Sequence, residues 1–141
     1  MASINIIKRN IVEKLNENGG IIFNEVKIPV LDVAITGDPE RDVPDLYINY
    51  PSMQSTTLLH TKSGFNLSGS VSIPIFAKTN KHGDGVPLDV AELICGRLDN
   101  WKPADAVQSF LLQSISELAV IDKFRAAEMS YSWIGSGENR L

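Results

Sequence analysis

One set of side chains in this chain has the chemistry to hold a metal ion together: His60, His82, Asp84 and Asp89. His82-Gly83-Asp84-Gly85 sets two potential ligands side by side, but a metal centre needs three or four donors converging on one point. A Gly-rich turn with Asp84 capping the next helix explains the same residues, so no metal is expected. His60 falls near a polar hairpin tip, which suits a solvated side chain. The second acidic group is Asp38, Glu40, Asp42 and Asp45. Paired carboxylates perform acid–base work when they are held in a cleft. These lie in a loop with Gly37, Pro39 and Pro44 and read as a solvated charged surface.

Nucleophilic chemistry finds no support. There is no Gly-x-Ser-x-Gly elbow. Gly83-Asp84-Gly85 and Gly135-Ser136-Gly137 do not extend into a dinucleotide fingerprint, and no phosphate loop with a following Lys-Ser/Thr occurs. Trp101, Tyr131 and Trp133 lack the basic neighbours of a base-stacking platform and read as packing or interface residues. Cys95 is the single cysteine. It permits no intramolecular disulfide, fits a reducing compartment and reads as a small buried hydrophobe. The expectation is a non-enzymatic protein with no cofactor.

Composition points the same way. The 141 residues carry a net charge of −4 and 43% hydrophobic content, which suits one domain with a modest core. Lys62, Lys78, Lys81, Arg97 and Lys102 are scattered, and gripping nucleic acid needs clustered cations. An acidic surface would instead let DNA slide past. No apolar run is long enough to span a membrane. Lys8 and Arg9 interrupt the N-terminal pattern, which does not read as a secretory signal.

The elements behind these residues follow from periodicity. Ile4, Ile7, Ile11 and Leu15 recur at helical spacing after Ser3, and Asn18-Gly19-Gly20 closes that helix. From Ile21 to Ile35 the chain is rich in β-branched residues. The apolar phase slips by one residue between Val30 and Leu31, which predicts a bend, a bulge or two short strands, with Pro29 at an edge. Leu46, Ile48 and Tyr50 alternate in a short strand. Met53–Leu59 and Leu67–Ala77 form a long antiparallel hairpin whose tip carries Lys62, Ser63, Gly64 and Phe65. Within it Leu67, Gly69, Val71, Ile73, Ile75 and Ala77 share one face, and Ser68, Ser70, Ser72 and Pro74 the other. Pro87 after Asp84 starts a second helix that buries Val90, Leu93, Ile94 and Leu98, with Trp101 extending that face. Ser109–Val120 reads as strand, although Val107, Leu111 and Ile115 also match helical spacing. Lys123–Ile134 reads as the last strand, with a flexible polar tail from about residue 135. The fold class is α+β: an antiparallel sheet of mixed strand lengths with a long hairpin, flanked by an N-terminal and a central helix.

In element order and length this chain resembles the tail terminator proteins of long-tailed bacteriophages, the lambda type. The likeness runs from the helix Ser3–Asn16 through the strand Asp45–Tyr50. It continues in Gly69-Ser70-Val71-Ser72-Ile73-Pro74-Ile75-Phe76-Ala77, a Gly-rich loop, the helix Val86–Trp101 and strands around Ala127–Trp133. It covers nearly the whole chain. The resemblance implies a virion protein of the tail–neck junction, assembled in the host cytoplasm. It implies a ring of six copies that caps the tail tube, stops its growth and joins the head. Its partners would be itself, the tail tube protein, a head-completion or neck protein, and genomic DNA passing through the lumen without specific binding. The candidate interface residues are then Lys62, Ser63, Gly64, Phe65, Lys78, Lys81 and His82. Phe65 at a polar tip packs either on a partner or on its own hairpin. The acidic loop Asp38, Glu40, Asp42 is a candidate lumen surface. Another neck or tail-completion protein, a small metal-dependent enzyme or a ligand-binding domain remain the alternatives.

Overall fold

The computed structural model describes residues 4–31, 44–60, 64–102, 110–121 and 123–138. The acidic loop Asp38, Glu40, Asp42 and the tip residues Lys62 and Ser63 lie outside them, as does most of the segment 104–110. The fold is α+β, with two helices set against a predominantly antiparallel sheet.

The first helix, α1 (Ile4–Asn16), places Ile7, Ile11 and Leu15 on one fully buried stripe. The i, i+4, i+8 spacing does this, because each step nearly repeats a helical turn. A 3-10 turn over Glu17–Gly19 follows, with Asn18 at φ 54° and Gly20 at φ 86°. Gly20 is required by its backbone: its φ of 86° is one that L side chains rarely adopt, whereas the Lys27 side chain 2.7 Å from a Cβ built there is exposed and could move aside.

Strands β1 (Ile21–Phe23) and β2 (Val26–Ile28) form a hairpin across Asn24-Glu25. Both turn residues have positive φ, at 48° and 66°. Such turns match the right-handed twist of the flanking strands. The phase slip at Val30 has a definite cause. Pro29 breaks the β2 ladder, and β3 (Val30–Leu31) then pairs in parallel with β4 (Leu46–Asn49). This is the one parallel pairing among the described strands of an otherwise antiparallel sheet.

The long hairpin is present as β5 (Ser52–His60) and β6 (Gly64–Lys78). The last strand, β8 (Phe124–Glu138), pairs with β6 without interruption from Lys78↔Phe124 to Gly64↔Glu138. Gly135-Ser136-Gly137 therefore belongs to this ladder, and the expected tail does not begin at 135. Strand β7 (Leu111–Ile121) completes the order β3-β4-β6-β8-β7, and β5 shares with β4 the side of β6 away from β8, pairing with its first half while β4 pairs with its last residues. Strand wins over helix from Leu111 onward because the segment zips onto β8.

Period two sorts the sheet faces. Val71, Ile73 and Ile75 on β6 and Ala127, Met129 and Tyr131 on β8 are fully buried. All but Ala127 belong to the core cluster that includes α1 and the second helix, α2 (Val86–Leu98). On α2 the buried set is Val90, Ala91, Ile94 and Leu98, whereas Leu93 is 41% exposed. Leu93 sits on the flank of the stripe, where a helix stops meeting the sheet. The residue preceding α2 is Gly85, and no side chain caps the helix; Asp84 does not. Pro87 in the first turn supplies the preset φ instead.

The opposite face is not simply solvated. Tyr47 stacks on Phe76 at 5.2 Å, and Phe124 meets both rings edge-on at 5.8 and 6.4 Å. Tyr47, Phe124 and Ala126 are buried there, and Ser72 is only 4% exposed. The sheet thus carries apolar packing on both sides at its β4 end.

Candidate assembly surfaces

Strand β6 positions most of the sequence-predicted site residues, and it holds them apart. Gly64 and Phe65 start the strand, paired to Glu138 and Gly137 on one side and, for Phe65, to His60 on the other. Lys78 ends it. Fourteen residue steps at about 3.4 Å separate the two groups by roughly 45 Å. They are two surfaces at opposite ends of one strand, and they do not converge on a site.

At the tip end three strands run together: β5, β6 and β8. Strand β7 joins β8 only as far as Ser132, so β8 from Trp133 onward has a partner on one side alone among the described residues. This makes a three-stranded arm that extends past the two-layer body.

At the other end the chain turns on itself. The amide N–H groups of Lys81 and His82 both donate to the Lys78 carbonyl, at 3.2 and 3.0 Å. Lys81 is exposed. Lys78 is tied to Asp45, with Nζ 3.4 Å from the carboxylate and the amide N–H 2.8 Å from the carbonyl. It therefore acts first as a fastener between β6 and the start of β4. His82 lines an open cleft of about 350 Å³ together with Phe23, Val26, Pro44 and Leu46.

The chemistry-bearing residues do not assemble. Among the described residues no group of three or more His, Cys, Asp or Glu side chains comes together. Asp84 and Asp89 are exposed on the surface. The aromatics singled out in the sequence are packing residues. Trp101 meets Phe110 edge-on at 5.6 Å, and Trp133 is 1% exposed. Tyr131 is buried and donates its hydroxyl to Cys95 Sγ at 3.5 Å. Burial, followed by that contact and the nearby Asp99 carboxylate, raises the Tyr131 hydroxyl far above the ordinary phenol range. No helix among the described residues is long and apolar enough to cross a membrane.

The surface that the sequence reading missed is β7. Leu111, Ile115 and Val120 are 45, 36 and 52% exposed, half of the large exposed hydrophobics in the described chain. The strand contains no Lys, Arg or Pro, and Glu117 is its single charge. Edge strands are ordinarily defended by just those residues. The signal was in the sequence: apolar residues on both pleat faces of a strand that has nothing to cover one of them.

No known protein family and no curated protein matches this sequence. The fold has solved counterparts. One is a chain in a structure described as the virion of a native gene transfer agent particle. The two superpose with a TM-score of 0.62 at 12% identity, over 96% of this chain and 100% of that one. The α+β architecture is thus shared over nearly the whole of this chain and all of that one, at low sequence identity.

Proposed function

We propose that this protein is a non-enzymatic structural component of a virion, and within that class a tail terminator. On this reading it forms a ring at the head-proximal end of a tail tube, caps tube growth and presents the surface that joins the head. The observation that carries it is the likeness to a chain of a gene transfer agent virion, over 96% of this chain and all of that one. The element order of the terminators points to the same role. The exposed edge on β7 and the projecting arm are the features an assembling subunit needs, since a strand edge is completed by another chain.

The ring is built from head-to-tail contacts that close by rotation. The tip Lys62, Ser63, Gly64 and Phe65 and the opposite end at Lys78, Lys81 and His82 then face different neighbours along the tail. One meets the tail tube protein and the other the head-completion protein. The acidic loop Asp38, Glu40, Asp42 faces the lumen, where like charge keeps genomic DNA from adhering.

The test is native mass by light scattering across a concentration series, with negative-stain images, followed by addition to growing tail tubes. A ring with a central hole that arrests tube length supports the proposal. A ring that leaves tube growth unchanged overturns the terminator role and leaves a neck component.

A further inference from the structure

We propose that the outward face of α2 is a docking surface for a basic amphipathic helix of a partner protein, seated across Gly96. The inference goes beyond the virion reading above and stands on observations of its own.

The first is a glycine that the fold does not use. Gly96 lies inside α2 and is exposed. Nothing outside its own helix backbone comes within 4 Å of where a Cβ would stand. Glycine is among the poorest helix formers, because it gives up the most backbone freedom. Its use inside a helix is to let another body come close to the backbone. Among the described residues nothing in this protein makes that approach.

The second is the company Gly96 keeps. At about 3.6 residues per turn it stands opposite the buried set Pro87, Val90, Ala91, Ile94 and Leu98. Asp89, Glu92, Leu93 and Gly96 follow one another at i, i+3, i+4 and i+7, all of them exposed. That spacing runs along the helix axis and presents a ridge to a second helix. Leu93, 41% exposed, supplies an apolar anchor beside the gap at Gly96.

The third is charge. Asp89, Glu92 and Asp99 are exposed carboxylates, and Asp89 and Glu92 have no ion pair among the described residues. A solvated helix face ordinarily sets a lysine four residues after a carboxylate. Here those positions are Leu93 and Gly96 themselves. The one cation of α2, Arg97, is turned to the carbonyls of Lys14 and Gly20. The face is therefore uniformly negative. It repels a phosphate backbone and an anionic membrane, and it attracts Lys and Arg. Its occupant meets Leu93 with an apolar side chain, lays its backbone over Gly96 and sets cations against Asp89, Glu92 and Asp99.

The experiment titrates the isotope-labelled full chain with a peptide of about 20 Leu and Lys residues patterned as an amphipathic helix, long enough to hold that form. A Leu/Glu peptide of the same pattern is the control, and amide chemical shifts map the contact. The expected result is binding of the Leu/Lys peptide alone, with shifts centred on Asp89, Glu92, Leu93 and Gly96. Gly96→Leu should lower the affinity about tenfold. Its thermal midpoint should equal or exceed that of the parent, because leucine is the better helix former. Asp89→Asn with Glu92→Gln should weaken binding similarly and flatten its salt dependence. No binding, or shifts scattered over the rest of the surface, overturns the proposal. Equal binding of the Leu/Glu peptide overturns its charge argument, and undiminished binding by Gly96→Leu overturns the seat. A lowered melt of Gly96→Leu would show that the glycine serves the fold and would also overturn it. None of these outcomes depends on ring formation.

Discussion

Lys78 is fastened to Asp45 at two points, by its ammonium at 3.4 Å and by its backbone amide at 2.8 Å. The two contacts differ in weight. The Asp45 side chain is 47% exposed, so water screens the ion pair, whereas the backbone bond belongs to the ladder that sets β4 against β6. Exposed pairs of this kind contribute about 0–1 kcal/mol. Lys78→Met should therefore lower stability by less than about 1 kcal/mol, with the deficit vanishing at high salt. Urea midpoints at low and high ionic strength check this. A salt-independent loss of several kcal/mol would show that Lys78 holds the β4 end by packing instead.

Arg97 makes the stronger clamp. From the last turn of α2 its guanidinium donates to the carbonyl of Lys14 at 3.2 Å, to that of Gly20 at 2.7 Å and to that of Glu17. These are carbonyls at and just beyond the end of α1, where a helix leaves acceptors unpaired and the dipole favours a cation. Charge-assisted bonds contribute about 1.5–3 kcal/mol each, less what water would replace. Arg97→Ala should cost about 2–3 kcal/mol. Arg97→Lys should recover little of it, because an ammonium cannot span carbonyls set in three directions. Chemical denaturation of both variants tests the claim, and full rescue by lysine would refute the fork geometry.

The Asn24-Glu25 turn holds a correctable strain. Glu25 sits at φ 66°, a conformation that costs an L-residue with a Cβ about 1–2 kcal/mol. Glu25 is exposed, and among the described residues its side chain shows no hydrogen bond or ion pair. Glu25→Gly creates the Asn-Gly pair that such two-residue turns favour. We expect a gain of about 0.5–1 kcal/mol, part of the relief being offset by the entropy of glycine in the unfolded chain. Thermal melting reads it as an upward shift of the midpoint, and a downward shift would mean the turn differs in solution.

Much of this fold could be read from spacing alone, and the reasons are specific. Ile7-Ile11-Leu15 and Val71-Ile73-Ile75 keep one period over enough residues to leave a single solution for each. What escaped were features fixed by neighbours. Leu93 matches the helical stripe but falls outside the sheet's footprint. Ser72 looks solvated and is buried, between β5 and β8 where it pairs with Ser52 and Ser130. Gly135-Ser136-Gly137 looks like a tail and is a strand, because β6 is long enough to pair with it. The candidate surfaces were half legible. The hairpin ends were visible in the pattern of polar residues, but the β7 edge depends on which strand comes last in the sheet, and chain order does not say that.

Tyr131 gives the protein a sharp alkaline limit. Its hydroxyl is buried beside Cys95, and burial before all else raises its ionisation well above that of an exposed phenol, near 10. Tyr47 is raised by burial in the same direction. The sign follows from proton counts. Above pH 10 the unfolded chain has released these protons while the folded chain still holds them, so stability falls as pH rises. The contribution is fully present below pH 10 and declines by up to about 1.4 kcal/mol per pH unit per tyrosine beyond it. Tyr131→Phe removes one of the two ionisations. At neutral pH it should change stability by about 1 kcal/mol or less, since the lost bond to sulfur is long. At pH 11 the variant should lose roughly 1 kcal/mol less than the parent, relative to pH 9. Urea titrations at pH 9, 10 and 11 decide it. Parallel losses in parent and variant would mean that Tyr131 ionises as readily in the folded protein as in the open chain, and that its hydroxyl reaches water.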